Sequence, residues 1–277
     1  MISWKVENNN RLLAEVKNKF LGIYTSKDLR WTIEHNHCFV NDLVERFCSV
    51  IVNKNDHICI WIETSPAFAI EKSRILYEDV HIFVYDKPPF LTSEELAKIT
   101  YCRLVHRLDR DTSGVILLAK TQKVQTALEE QFRRQTIKKE YLALVEGLPN
   151  KSGIISGNMT PRHQREGAVI WGMSPSGLWS QTHWICLQNY GNHTLILCLP
   201  ITGRTHQIRV HLQYIDHPII GDYIYGSRHK KEGLFRPLLH AYRLTFSHPI
   251  TREKCIFSAP LPLDFGIQNF KYPKMHG

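Results

Sequence analysis

The sequence predicts an α+β fold: a mixed, mostly antiparallel sheet in a larger domain, preceded by a small α/β domain. Three observations carry that expectation. From Ile75 onward, short β-prone runs joined by turn formers dominate, and only two stretches there hold good helical spacing. Turn formers at Glu63-Thr-Ser-Pro-Ala-Phe68 interrupt two patterned regions near Pro66, which sets expected domains of 1–65 and 70–277. The chain has 277 residues, 43% hydrophobic and 22% charged, enough to bury a core without staples and unlike a disordered chain.

Each element follows from a local signal. In the leading segment Arg11–Leu21 and Ser26–Glu34 carry helical spacing, with Ser26 as N-cap. Strands are expected at Cys38–Val40, Val50–Val52 and Ile58–Ile62, so the module reads as two helices and a small hairpin. In the larger domain Val80–Tyr85 reads as a strand ending at Asp86-Lys-Pro-Pro89, with further strands at Val115–Lys120 and Tyr141–Val145. Between the latter two, Thr121 caps a helix whose Val124, Leu128 and Phe132 recur on one face, and Arg133 and Arg134 end it. Trp184–Leu187 and Thr194–Leu199 form a hairpin around Asn189-Tyr-Gly-Asn192. Thr205–Ile215 fits a second helix, capped by Thr205 and ended by Asp216-His-Pro218. Ala241–Phe246 and Cys255–Ser258 complete the strands.

Lys plus Arg number 35 against 26 Asp plus Glu, so 35 − 26 gives +9, and the pI is near 9.2. That excess favours a polyanionic partner, nucleic acid before membrane, over the blander reading of a basic surface kept for solubility. The seven cysteines are an odd, scattered set with no Cys-x-x-Cys, so they read as small core residues in a reducing compartment. The first ten residues lack an apolar signal core and no apolar run is long enough for a bilayer. A soluble cytoplasmic protein is expected.

Three segments can carry chemistry. Arg103–Gly114 packs His106, Arg107, Asp109, Arg110, Asp111, Thr112 and Ser113 immediately before an apolar strand. Alternating acids and bases at the rim of a core are where geometry and protonation can be set, although a solvated connection would look similar. A metal reading of His106, Asp109 and Asp111 is weaker, because carboxylates flanked by arginines are more simply ion-paired. The second segment is Leu199–Leu212, in which Arg204 and Arg209 suit a phosphate or a bidentate carboxylate pair. Its His206 and His211 lie roughly 140° apart around a helix and do not form a metal pair. The third, Ile137–Gly147, holds Tyr141, which taken alone reads as a core tyrosine on a strand.

Together these blocks bring a family into view. His106-Arg-Leu-Asp-Arg-Asp-Thr-Ser-Gly114 resembles the signature of the RluA-type pseudouridine synthases, the enzymes named for large-subunit ribosomal RNA. The likeness continues through Lys139-Glu-Tyr-Leu-Ala-Leu-Val145 and Gly203-Arg-Thr-His-Gln-Ile-Arg-Val-His-Leu212. It is echoed by Asp86-Lys-Pro88, Leu239-His-Ala-Tyr-Arg-Leu244 and Ser258-Ala-Pro-Leu-Pro262, in the family's order over residues 75–265. One departure is the segment Pro89-Phe-Leu-Thr-Ser-Glu-Glu95, which leads to Leu104-Val-His106 in fewer residues than the family usually has. The leading module is similar to an S-four-type RNA-binding domain through Arg11-Leu12, Ser26–Arg30, Val40-Asn41 and Asn55–Ile58, with Asp42 where a glycine is usual.

The resemblance implies an RNA pseudouridine synthase, an isomerase acting on uridines in structured RNA, ribosomal RNA ahead of transfer RNA. A noncatalytic RNA-binding or ribosome-assembly factor on the same fold is the alternative. The catalytic set implied is Asp109, Tyr141 and Arg209. Asp109 is the essential carboxylate, attacking the sugar carbon or abstracting its 2′ proton. Arg209 pairs with it, and Tyr141 stacks on the uracil. Substrate binding falls to His106, Arg107, Arg204 and Ile208, with Arg107 filling the gap left by a flipped uridine. No cofactor and no metal are implied, and a monomer without membrane association is expected.

Overall fold

The computed structural model describes residues 1–63, 68–147, 149–165, 168–226, 234 and 236–267, and side chains outside 163–168. The expected break at Pro66 lies outside them. The chain divides into two compact units, residues 1–68 with 163–169, and residues 69–162 with 170–277.

The first unit begins with β1 (Ile2–Lys5), β2 (Asn10–Arg11), α1 (Leu12–Lys19) and α2 (Ser26–Glu34). It continues with β3 (Cys38–Val40), β4 (Leu43–Val44), β5 (Ile51–Val52) and β6 (His57–Ile60). Two helices are present as expected, but the sheet is larger than a hairpin: β1-β6-β3-β4 form one sheet and β2-β5 a second. The N-cap of α2 is Thr25 rather than Ser26, because the Thr25 hydroxyl accepts the Asp28 N–H at 3.1 Å. The β3–β4 turn places both Asn41 (φ 50°) and Asp42 (φ 63°) in the left-handed region, which Asn and Asp tolerate better than most residues. Leu12, Val16, Leu29, Ile33, Cys38, Ile58 and Ile60 fill the core of this unit.

The second unit contains β7 (Ile75–Glu78), β8 (Ile82–Lys87), α3 (Ser93–Thr100), β9 (Arg103–Leu104), β10 (Ser113–Ala119) and α4 (Gln122–Arg133). Next come β11 (Lys138–Glu146), β12 (Ser152–Arg165), β13 (Ala168–Ser174), β14 (Leu178–Asn189) and β15 (His193–Pro200). α5 (Gln207–Tyr214), β16 (Leu239–Ser247) and β17 (Lys254–Ser258) follow. Among the described residues these strands build one eleven-stranded sheet in the order β13-β12-β14-β15-β11-β16-β10-β8-β7, with β17 beside β16 and β9 beside β10. Every pairing in it that we describe is antiparallel except β10 with β16. The α+β fold with a mixed, mostly antiparallel sheet is therefore present.

Several boundaries differ for physical reasons. β8 starts at Ile82 rather than Val80 because the Asp79 carboxylate accepts the His81 and Ile82 N–H groups, both at 2.7 Å, and turns the chain there. The Pro89–Glu95 segment is no plain connection. Thr92 and Glu95 make a reciprocal capping box that starts α3. α5 begins at Gln207, and its N-cap is His206 without a side-chain cap, in place of the expected Thr205. α4 matches the expectation, with Thr121 as cap and Val124 and Leu128 buried against β8 and β10.

Candidate active site

Two segments of the resemblance meet across one strand. Ala241 on β16 pairs with Gly114 of β10 on one side and with Tyr141 of β11 on the other. Gly114 has φ +111°, and a Cβ there would stand 2.2 Å from the Ala241 carbonyl oxygen. Only glycine lets the strand leaving the signature loop come this close. Tyr141 follows a register shift in β11 and lies opposite Cys198 of β15, the strand that leads into the turn before α5. Sheet pairing thus gathers the signature loop, Tyr141 and the Arg209 helix at one end of neighbouring strands.

The loop carrying Asp109 is fixed through its backbone. The Ser93 hydroxyl accepts the Leu108 N–H and donates to the Leu108 carbonyl, both at 3.0 Å. Lys87 is fully buried and donates to the carbonyls of Pro88, Leu91 and Arg110 at 2.9, 2.7 and 3.0 Å. The Phe90 N–H adds a bond to the Arg110 carbonyl at 2.9 Å, and Arg236 reaches the Asp111 carbonyl at 3.3 Å. Burial pushes the Lys87 pKa down to about 7, although Asp111 and Asp109 both favour its charge. Within the loop the Thr112 N–H donates to the Asp109 carbonyl at 3.0 Å.

Asp109 is 27% exposed, open enough to meet a ligand. Its Oδ2 lies 3.5 Å from an Nη of Arg209. Arg209 was expected to pair with Asp109, but its tight partner is Asp222. The Arg209 Nε donates to Asp222 Oδ2 at 2.6 Å and an Nη to Asp222 Oδ1 at 2.9 Å. A guanidinium offers a two-donor edge that fits one carboxylate, and the remaining Nη is what Asp109 receives. Burial opposes the Arg209 charge, but Asp222 and then Asp109 more than offset it and hold its pKa above the ordinary value. The Tyr225 ring covers the guanidinium, its centroid 4.8 Å from Cζ. His206 completes the group, its Nε2 4.0 Å from Asp109 Oδ2 and its Nδ1 2.8 Å from the Tyr225 hydroxyl.

The other expected residues divide. Burial, reinforced by the Asp109 charge, pushes the Tyr141 pKa up, so the phenol keeps its proton. Arg107 is exposed and pairs with Glu94 at 3.0 Å. Arg204 is exposed and donates from Nε to the Trp179 carbonyl at 3.0 Å. His106 turns inward instead: its Nε2 accepts the Leu117 N–H at 3.0 Å and its ring stacks on Phe132 at 4.8 Å. Burial, with Lys139 nearby, lowers its pKa to about 3. Ile208 packs into the core beside β11 and β15. His211 sits between the hydroxyls of Ser180 and Thr182, 2.9 Å from each, and so faces different partners from His206.

Asp222 and Tyr225 were not singled out from the sequence, and Lys87 was named only within the Asp86-Lys-Pro88 segment, without a role. A usable signal existed for Asp222, an acid directly after the apolar run Pro218-Ile-Ile-Gly221, since unpaired acids are rarely buried. The whole arrangement is a reachable carboxylate beside a locked guanidinium and a protonated phenol. It suits nucleophilic or general-base chemistry.

The chain is similar to known proteins. A family model described as RNA pseudouridylate synthase matches residues 81–214. Ribosomal large subunit pseudouridine synthase C of Pasteurella multocida (strain Pm70) is 37% identical, over 80% of this chain and 74% of its own. The synthase D of Haemophilus influenzae (strain ATCC 51907 / DSM 11121 / KW20 / Rd) is 31% identical over 87% of this chain and 85% of its own. The solved structure of human RNA pseudouridylate synthase domain containing 1 superposes with a TM-score of 0.59 at 25% identity, covering 70% of this chain and 86% of its own. Identity at this level, sustained over most of both chains, means that the chain belongs to the RNA pseudouridylate synthase family of isomerases.

Proposed function

We propose that the enzyme converts uridine to pseudouridine in large-subunit ribosomal RNA, with Asp109 as the essential carboxylate. The observation that carries this reading is the Arg209 guanidinium, locked by Asp222 on one edge and facing Asp109 Oδ2 at 3.5 Å with the other. Isomerisation breaks the bond from N1 to the sugar carbon, forms one from C5 and moves the C5 proton to N1, with no net oxidation. Asp109 serves either by attacking the sugar carbon or by taking the 2′ proton. Arg209 holds the carboxylate in one direction, and the Tyr141 ring is the platform for the loose uracil. Exposed Arg107 and Arg204 are the basic groups for a flipped nucleotide and its backbone.

The ribosomal target rests on the names of the relatives, which do not favour a noncatalytic factor. The first unit, as an S-four-like module, supplies RNA affinity, and loss of salt-dependent binding on removing residues 1–65 tests that role. No helix among the described residues is long and apolar enough to cross a membrane. Chemical mass-labelling of pseudouridine in RNA from a deletion strain tests the function. Loss of particular pseudouridines from large-subunit ribosomal RNA is expected. Loss from transfer RNA alone, or no loss, contradicts the target.

A further inference from the structure

We propose that His206 is a positioning residue of the isomerisation: neutral, with its proton on Nε2, it directs that N–H at Asp109 Oδ2 and is held in this tautomer by Tyr225. The inference rests on Asp109 being the reacting carboxylate. Three features of the fold converge on His206. Its backbone is left-handed at φ 56°, a conformation uncommon for a residue other than glycine. The ring then bridges two groups, with Nδ1 2.8 Å from the Tyr225 hydroxyl and Nε2 4.0 Å from Asp109 Oδ2. The hydroxyl is itself oriented, since it accepts the Trp171 N–H at 3.1 Å.

That last bond decides the tautomer. Tyr225 is buried, and burial holds its pKa at about 12, so the phenol carries its hydrogen at neutral pH. Among the described residues, the only acceptor within hydrogen-bond distance of that hydroxyl is His206 Nδ1. A buried hydroxyl hydrogen without an acceptor is unfavourable, so the phenol donates to Nδ1 and the ring proton resides on Nε2. The same tautomer points an N–H rather than a lone pair at the carboxylate. Asp109 Oδ2 is then faced by Arg209 at 3.5 Å and by His206 at 4.0 Å. Tyr225 thereby acts twice, with its ring over Arg209 and its hydroxyl on His206.

The experiment has two arms on the full-length protein. In the first, long-range proton–nitrogen spectra of histidine-labelled wild type, with His206→Asn identifying the signal, read the tautomer directly. An Nε2–H imidazole is expected, and an Nδ1–H imidazole overturns the proposal. In the second, single-turnover rates and RNA affinities are compared for His206→Asn, Tyr225→Phe, the double variant and Asp109→Asn, each checked by circular dichroism. Asn accepts the left-handed backbone. Each single variant should lose roughly tenfold in rate with affinity within about twofold, and the double variant should lose no more than either. A wild-type rate for His206→Asn, or losses that multiply in the double variant, overturns the positioning role. Turnover by Asp109→Asn instead overturns the reading of Asp109 itself.

Discussion

Arg209 grips Asp222 at 2.6 and 2.9 Å while facing Asp109 at 3.5 Å, so the residue that reaches the open carboxylate is oriented by one that is fully buried. Removing one member of a buried pair leaves the other charge uncompensated. Asp222→Ala is expected to lose about 3–5 kcal/mol of stability and most single-turnover activity, as read by urea denaturation and a stopped assay. Asp222→Asn keeps the shape and should fall between the two. Wild-type values for Asp222→Ala would mean that Asp109 alone suffices to fix Arg209.

Lys87→Met tests the loop anchor. Methionine fills a similar volume but leaves the carbonyls of Pro88, Leu91 and Arg110 without their donor. At roughly 1 kcal/mol for each lost bond, a destabilisation of about 2–4 kcal/mol is expected, together with a lower turnover because Arg110 adjoins Asp109. Stability that falls while turnover of the folded fraction stays intact would limit Lys87 to folding.

Gly114→Ala addresses the strand crossing. The added methyl would stand 2.2 Å from the Ala241 carbonyl oxygen at a backbone φ of +111°. β10 and β16 must separate, and a loss of at least about 2 kcal/mol is expected by urea denaturation. An unchanged midpoint would show that the two strands do not approach as closely as described.

Buried histidines give the pH dependence its sign. His211 and His240 are buried, chiefly by desolvation, with pKa values lowered to about 4. The unfolded chain takes up protons near pH 6.5 while the folded protein does not, so their contribution is full above about pH 6.5 and is lost as pH falls towards 4. Each should cost on the order of 2 kcal/mol by pH 5. Urea denaturation at pH 7 and pH 5 reads this as a lower unfolding free energy in acid. A flat profile would mean that these rings take up their protons in the native state as readily as in the unfolded chain, so that burial does not lower their pKa.

The sequence was most legible where signals are local. α2 and α4 carry apolar residues on one face, α4 with the threonine cap expected of it and α2 capped one residue earlier than expected, and the β14–β15 hairpin surrounds a run of turn formers. β12 and β13 escaped because they mix polar and apolar residues, as in Ser152–Arg165, without clean alternation. α3 was missed although Thr92-x-x-Glu95 is a capping-box pattern, because Pro88 and Pro89 just before it read as a turn. In the site, Asp109 and Arg209 lie in motifs dense in charge and were readable. Asp222 stabilises Arg209 from thirteen residues along the chain, beyond the end of α5, a relationship that no local pattern encodes. The inward turn of His106 likewise depends on Leu117 of β10 and Phe132 of α4, which only the folded chain brings to it.

The most direct measurement of the central claim is single-turnover conversion of uridine in a large-subunit ribosomal RNA transcript by purified wild type and Asp109→Asn. The amide is nearly isosteric with the carboxylate but uncharged and a poor nucleophile. Wild type should form pseudouridine at defined positions, while Asp109→Asn, folded and still bound to the RNA, forms none. Pseudouridine made by the folded Asp109→Asn protein at a rate near that of wild type would contradict the role of Asp109 and the mechanism built on it.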